Sequence, residues 1–168
     1  MLAIKVLDVK KCMSDMLASE KFDCWQLAEA KLTTRIRYVI DGHITEGYLS
    51  KEELLAEGIT EKECIPYRFV RGLCFDMIKG KQTPKSFRFT FLCPRREIAA
   101  ILEAASMGVR EEDIANLTMN ISFVDGELLV TTSCALRTFT LDKSVESVWD
   151  SRVLDFFRDL EITVEKMA

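Results

Sequence analysis

An α+β fold, with a largely antiparallel sheet of about six or seven strands and helices packed mainly on one face, is what this sequence predicts. Three observations predict it. Short segments of alternating apolar and polar residues recur along the chain, as half-buried strands require. Two Asp-Gly pairs, Asp41-Gly42 and Asp125-Gly126, directly follow such segments, and Asp-Gly between alternating runs marks a tight hairpin. Stretches with apolar residues three and four apart fall between the strands and give helices an inward face.

The elements follow in order. Leu2, Ile4 and Val6 alternate with Ala3 and Lys5 and predict a first strand. Residues 10–20 carry Cys12, Met13, Met16 and Leu17 at helical spacing. Period two then runs over 26–40, with Ala28, Ala30 and Leu32 against Glu29, Lys31 and Thr33, and the first Asp-Gly pair predicts a hairpin turn at its end. Ser50 and Glu53 predict a capping box for a short helix over 51–57, which Gly58 closes. After Pro66, the residues Phe69, Val70, Leu73, Cys74 and Met77 predict a helix with that face inward, ended by Gly80. Phe87, Phe89 and Phe91 form a strand, and Pro94 opens a helix through Ile98, Ile101, Leu102 and Ala105 to Gly108. A short helix is predicted over 110–117. Met119, Ile121 and Phe123 lead into the second Asp-Gly hairpin, and Leu128, Val130 and Thr132 return from it. Arg137, Phe139 and Leu141 predict a further strand. Ser144 is the expected cap of a last helix, whose Val145, Val148, Trp149, Val153, Phe156, Phe157 and Leu160 form one apolar stripe suited to packing on the sheet.

Composition sets bounds on function. The chain has 168 residues, 48% of them hydrophobic and 30% charged, the mix of a folded protein rather than a disordered one. No linker rich in Pro, Gly or Ser divides it, so a single domain over 1–168 is expected. Six cysteines, none in a Cys-x-x-Cys pair, and one histidine lack the paired ligands of structural zinc sites. The cysteines lie in or beside apolar runs and read as reduced, buried thiols. Neither a secretory leader nor an apolar run of about 20 residues is present, so a cytoplasmic protein without membrane attachment is expected. No metal and no cofactor is expected.

The runs Phe22-Asp23, Leu27-Ala28-Glu29-Ala30, Ile40-Asp41-Gly42, Ile78-Lys79-Gly80-Lys81-Gln82-Thr83-Pro84 and Thr138-Phe139-Thr140-Leu141-Asp142-Lys143-Ser144, with Trp149-Asp150, resemble a family of uncharacterised proteins of clostridial-type Gram-positive bacteria, a domain of unknown function. The resemblance spans nearly the whole chain. It implies a small intracellular bacterial protein and brings no catalytic residues with it.

Charge is the feature that departs from average. Residues 66–96 hold Arg68, Arg71, Lys79, Lys81, Lys85, Arg88, Arg95 and Arg96 against one acid, Asp76, a balance of +7 in a chain of net charge −4. Arg68, Arg71, Lys79, Lys81, Lys85 and Arg88 are the candidate anion-binding residues, because such a cluster can neutralise phosphates. Two counterarguments apply. Lys79 and Lys81 stand at a helix C-terminus, where cations offset the dipole, and the segment has acidic neighbours to pair with in Glu57, Glu61 and Glu63. Neither Gly-rich phosphate motif occurs.

Acid–base chemistry has Asp23, Glu29, Asp41, His43 and Asp125 as candidates. Asp41 and Asp125 read better as turn residues, and no motif selects a cysteine to pair with His43. No catalytic residue is assigned. Trp25, Tyr38, Tyr48, Tyr67 and the Phe87-Phe89-Phe91 strand could stack on bases, yet such a strand more often faces a core. The leading expectation is a non-enzymatic module acting through an unknown protein partner or self-association. The alternative is binding of nucleic acid, the less favoured partner, or of a phosphorylated ligand through 66–96. An enzyme of unrecognised type comes third.

Overall fold

A computed structural model describes residues 1–59, 63–104 and 109–168. The strands are β1 (Ala3–Val6), β2 (Gln26–Thr33), β3 (Arg37–Asp41), β4 (Ile65–Pro66), β5 (Ser86–Leu92), β6 (Ile114–Val124), β7 (Glu127–Leu136) and β8 (Val164–Lys166). The helices are α1 (Val9–Leu17), α2 (Lys51–Ala56), α3 (Arg71–Ile78), α4 (Arg95–Ala104) and α5 (Ser144–Asp159). All pairings among the described residues are antiparallel, in the order β3-β2-β5-β6-β7-β1-β8, with β4 beside the start of β2. The α+β class and the antiparallel sheet are as predicted.

Register explains why the helices gather on one face. Leu32 lies opposite Phe87, Phe87 opposite Phe123, Phe123 opposite Leu128 and Leu128 opposite Val6, so one row of apolar side chains crosses the sheet. A second row runs Ala30, Phe89, Ile121, Val130 and Ile4. Every residue in both rows is buried. α5 covers them, with Trp149 Nε1 donating to the Thr118 carbonyl at 3.0 Å. Phe22, Trp25, Tyr67, Phe91 and Phe156 pack between α5 and the strands, mostly edge to face at 5.0–5.8 Å. The Phe87-Phe89-Phe91 strand is therefore core and offers no base-stacking platform. The opposite face carries Lys31, Arg88, Thr90, Asn120 and Ser122, and Thr90 Oγ1 donates to Asn120 Oδ1 at 2.9 Å.

The two Asp-Gly pairs behave differently. Asp125 and Gly126 have φ of 53° and 81° and make the predicted tight turn between β6 and β7. Asp41-Gly42 makes no hairpin. The β2–β3 turn lies earlier, where the Thr34 amide bonds the Ile36 carbonyl at 2.9 Å, and Asp41 ends β3 opposite Glu29. Gly42 is needed for contact rather than for its dihedral angle. A Cβ there would sit 1.7 Å from the Leu27 carbonyl oxygen, beside the irregularity in β2 between Leu27 and Glu29.

Other expectations are corrected. Residues 110–117 are not a helix: a single 3-10 turn, Glu111–Asp113, leads straight into β6, because its acidic residues have no apolar face to bury. No strand runs through Arg137, Phe139 and Leu141; Phe139 and Leu141 point outward, 91% and 85% exposed. α3 turns Cys74 and Ile78 inward and leaves Leu73 exposed, since its inward stripe is set by packing against α1, and Phe69, in the 3-10 turn before α3, is exposed too. Ser144 begins α5 instead of capping it, and its amide bonds the Asp142 carboxylate at 2.8 Å. The Ser50–Glu53 capping box forms as predicted. The short strands β4 and β8 were not foreseen. Ala105 and Gly108, expected at the end of α4, lie outside the described residues, as does Glu61.

Candidate functional site: a cationic cleft beside the 79–85 loop

The six predicted anion-binding residues do not form one patch. Arg71 is already committed: its Nε and Nη2 donate to the two carboxylate oxygens of Asp23 at 2.9 and 3.3 Å. Hydrogen bonding to that carboxylate, opposed by burial, holds the Arg71 pKa above its ordinary value. Arg68 donates to the Glu57 carbonyl at 2.9 Å and lies 4.7 Å over the Phe69 ring. Arg88 stands on the uncovered sheet face opposite Lys31. Lys79, Lys81 and Lys85 stay together, on the loop between α3 and β5.

Local structure holds that loop. The Lys79 amide bonds the Phe75 carbonyl at 2.8 Å and closes α3. Pro84 is buried, and the Lys85 amide bonds the Thr33 carbonyl at 2.9 Å, which ties the far end of the loop to β2. The β2–β3 turn is thereby brought against it. Between turn and loop lies a cleft of about 630 Å³, lined by Thr34, Arg35, Tyr38, Lys79, Lys81 and Lys85 among others. The lining holds four cations and one acid, Asp76, which lies 3.0 Å from Lys79. Arg35, Lys81 and Lys85 have no ion pair among the described residues. On the other side of the loop a shallower hollow of about 490 Å³ is mostly apolar, lined by Val9, Met13, Ile78, Pro84 and Phe123.

Sequence reasoning missed Arg35. Placing the hairpin turn at Asp41-Gly42 left residues 34–36 inside a supposed strand. With the turn at 34–36, pairing of Thr33 with Ser86 carries Arg35 to the loop that precedes β5.

The acid–base candidates disperse. Asp23 is held by Arg71, Glu29 lies 3.4 Å from Lys31 on the uncovered face, and Asp125 is a turn residue. Asp41 is not a turn residue. Its Oδ1 takes the His43 amide at 3.0 Å and contacts His43 Nδ1 at 2.6 Å, which holds the Asp41 carboxyl below its ordinary range. His43 bridges Cys64 through the backbone. That thiol is 4% exposed, and burial, then the negative charge of Asp41, push it up to about 11. It is protonated at neutral pH and poorly placed to act as a nucleophile. All six cysteines are free, and burial raises Cys12, Cys74 and Cys93 to about 12. Among the described residues no three His, Cys, Asp or Glu side chains gather as a metal site, and no helix is long and apolar enough to cross a membrane.

Fold and cleft together define an α+β protein with a one-sided antiparallel sheet and a cation-lined cleft at one end of it. The chain belongs to the family of unknown function DUF5721, whose model matches residues 15–165. No match appears among curated proteins or solved structures.

Proposed function

We propose that the chain is a binding module for a phosphorylated small molecule, held in the cleft between the β2–β3 turn and the 79–85 loop. One observation carries this reading. Four cations from two segments far apart in sequence line a single cleft against one acid among the described residues, Asp76, which Lys79 pairs. The cleft volume of about 630 Å³ falls within the roughly 300–1,000 Å³ of small-molecule sites. A concave site favours a compact ligand over a nucleic-acid strand. Arg68 is engaged elsewhere, donating to the Glu57 carbonyl.

Titration of the full chain with nucleoside triphosphates, sugar phosphates and single-stranded RNA tests the reading. Phosphorylated small molecules should bind, more weakly as salt rises. Arg35→Glu and Lys81→Glu should each lower affinity about tenfold or more, the loss expected for a charge-assisted contact. Binding of none of these at low salt, or binding that ignores both substitutions, would end it.

A second reading, action through protein contacts, is favoured by Phe139 and Leu141. They expose two large apolar side chains within three residues, a surface that association would cover. Sedimentation of the wild type should show mass rising with concentration, and Phe139→Ser with Leu141→Ser should abolish the rise. A monomer at every concentration removes self-association from this reading.

A further inference from the structure

The sheet ends in two edge strands, β3 and β8, and they differ in how they are protected. Proteins blunt a sheet edge by keeping it short, by placing Lys or Pro on it, or by a bulge that twists it away. β8 is three residues long and ends in Lys166. β3 has five residues, Arg37-Tyr38-Val39-Ile40-Asp41, with neither Lys nor Pro, and pairs with β2 without a shift of register. Among the described residues no strand lies beyond it. Val39, at its centre, is 58% exposed.

Backbone geometry says what this edge offers. Opposed residues of an antiparallel pair alternate between exchanging both backbone bonds and exchanging none. The Gly42 amide bonds the Ala28 carbonyl and the Thr34 amide bonds the Ile36 carbonyl, each at 2.9 Å. Counting in steps of two from either end, Ile40 with Ala30 and Tyr38 with Leu32 are the bonded pairs of β2 and β3. The backbone groups of Arg37, Val39 and Asp41 therefore point away from β2, toward the free edge. The side chains of Tyr38 and Ile40 extend the two apolar rows of the covered face by one strand, and both rows stop there half-buried. A strand added to β3 would continue them.

Charge says which strand. Antiparallel pairing of β3 with β3 of a second copy, about a two-fold axis at Val39, sets Val39 against Val39, Tyr38 against Ile40 and Arg37 against Asp41. The same alignment brings the outward backbone groups of Arg37, Val39 and Asp41 opposite one another, so the ladder and the charge pairs need one register. Opposite charges directly across a ladder stabilise it, and like charges repel. Arg37 has no ion pair among the described residues, and the Asp41 carboxylate, which holds His43, is 77% exposed.

We infer that β3 is the interface of a two-fold symmetric dimer, in which two copies join edge to edge into one continuous antiparallel sheet. The contact is separate from Phe139 and Leu141 and from the phosphate cleft. Two-fold pairing consumes both β3 edges and closes, so it stops at twice the chain mass, and any rise beyond that belongs to Phe139 and Leu141. Sedimentation equilibrium of the full chain is the test. Phe139→Ser with Leu141→Ser should sediment as a dimer. In that background Arg37→Asp sets Asp against Asp and Asp41→Arg sets Arg against Arg, and each should halve the mass. An equal mixture of these two variants restores both charge pairs across the axis and should recover the dimer, which misfolded chains could not do. The exchange of both residues in one chain should recover it as well. A monomeric Phe139→Ser, Leu141→Ser variant of a wild type that associates would overturn the inference while leaving the other contact standing. A wild type that is monomeric throughout would overturn it too and leave the edge to a strand of another protein. So would dimers of either single charge variant, or a mixture that stays monomeric.

Discussion

Gly42 shows how one residue can be required for space alone. Its φ lies outside the left-handed region, so backbone freedom is not the reason for glycine. The reason is the Leu27 carbonyl, 1.7 Å from where a Cβ would stand. That carbonyl belongs to a strand paired on both sides and cannot yield without breaking pairs to β4 and β5. Gly42→Ala should therefore destabilise the protein by about 3 kcal/mol or more, the upper end for overpacking. Urea denaturation checks this, and a loss under about 1 kcal/mol would show that the strands yield after all. Gly126, in contrast, has open space around its Cβ position and is required by φ 81°. The tryptophans form a similar pair. Trp149 satisfies its indole N–H at the Thr118 carbonyl, while the N–H of Trp25 is buried without a partner among the described residues. Trp25 stays for its ring, which packs 5.1 Å from Phe156 and lies under Arg152.

At the scale of elements, legibility in the sequence follows from how local the determining interaction is. The Ser50–Glu53 capping box, the Asp125-Gly126 turn and the alternation of Phe87, Phe89 and Phe91 are decided within a few residues, and each was readable. The first Asp-Gly pair carried the same local signal, but a long-range contact with Leu27 gives Gly42 its role, and no spacing rule reports that. β4 and β8 are two and three residues long, too short for periodicity to register; pairing with β2 and β1 creates them. Residues 137–141 alternate like a strand, yet among the described residues no strand pairs with them. α3 was misjudged by face for a related reason: both of its sides carry apolar residues, and only packing against α1 chooses Cys74 and Ile78. The candidate site was half legible. The loop lysines were visible as a charge run. Arg35 became visible only once the turn was in place.

At the scale of the whole molecule, the chain is closed where its first and last strands meet. β1 pairs with β7 on one side and β8 on the other, and the Thr163 amide bonds Asp8 at 2.8 Å. Asp15 reinforces the closure from beneath. It is 7% exposed and takes Lys11 Nζ and Lys21 Nζ at 3.0 Å each, while Lys11 also donates to the Leu160 carbonyl at 2.7 Å. One carboxylate thus links α1, the turn that follows it and the C-terminal end of α5. Burial alone would raise the Asp15 pKa, but the hydrogen bonds and charges of Lys11 and Lys21 outweigh it, and the pKa is lowered from the ordinary 3.8. A carboxyl with a depressed folded-state pKa contributes stability that is fully present above the ordinary value and is lost as pH falls through the folded one. Asp15→Asn should cost about 1–2 kcal/mol at pH 7, below the cost of breaking a fully buried pair, because the lysines are 38% and 46% exposed and can be hydrated. The difference in thermal midpoint between wild type and Asp15→Asn should hold steady from neutral pH down to the ordinary carboxyl range and shrink below it. A difference that stays constant through the acid range would mean that Asp15 acts by packing and not by charge.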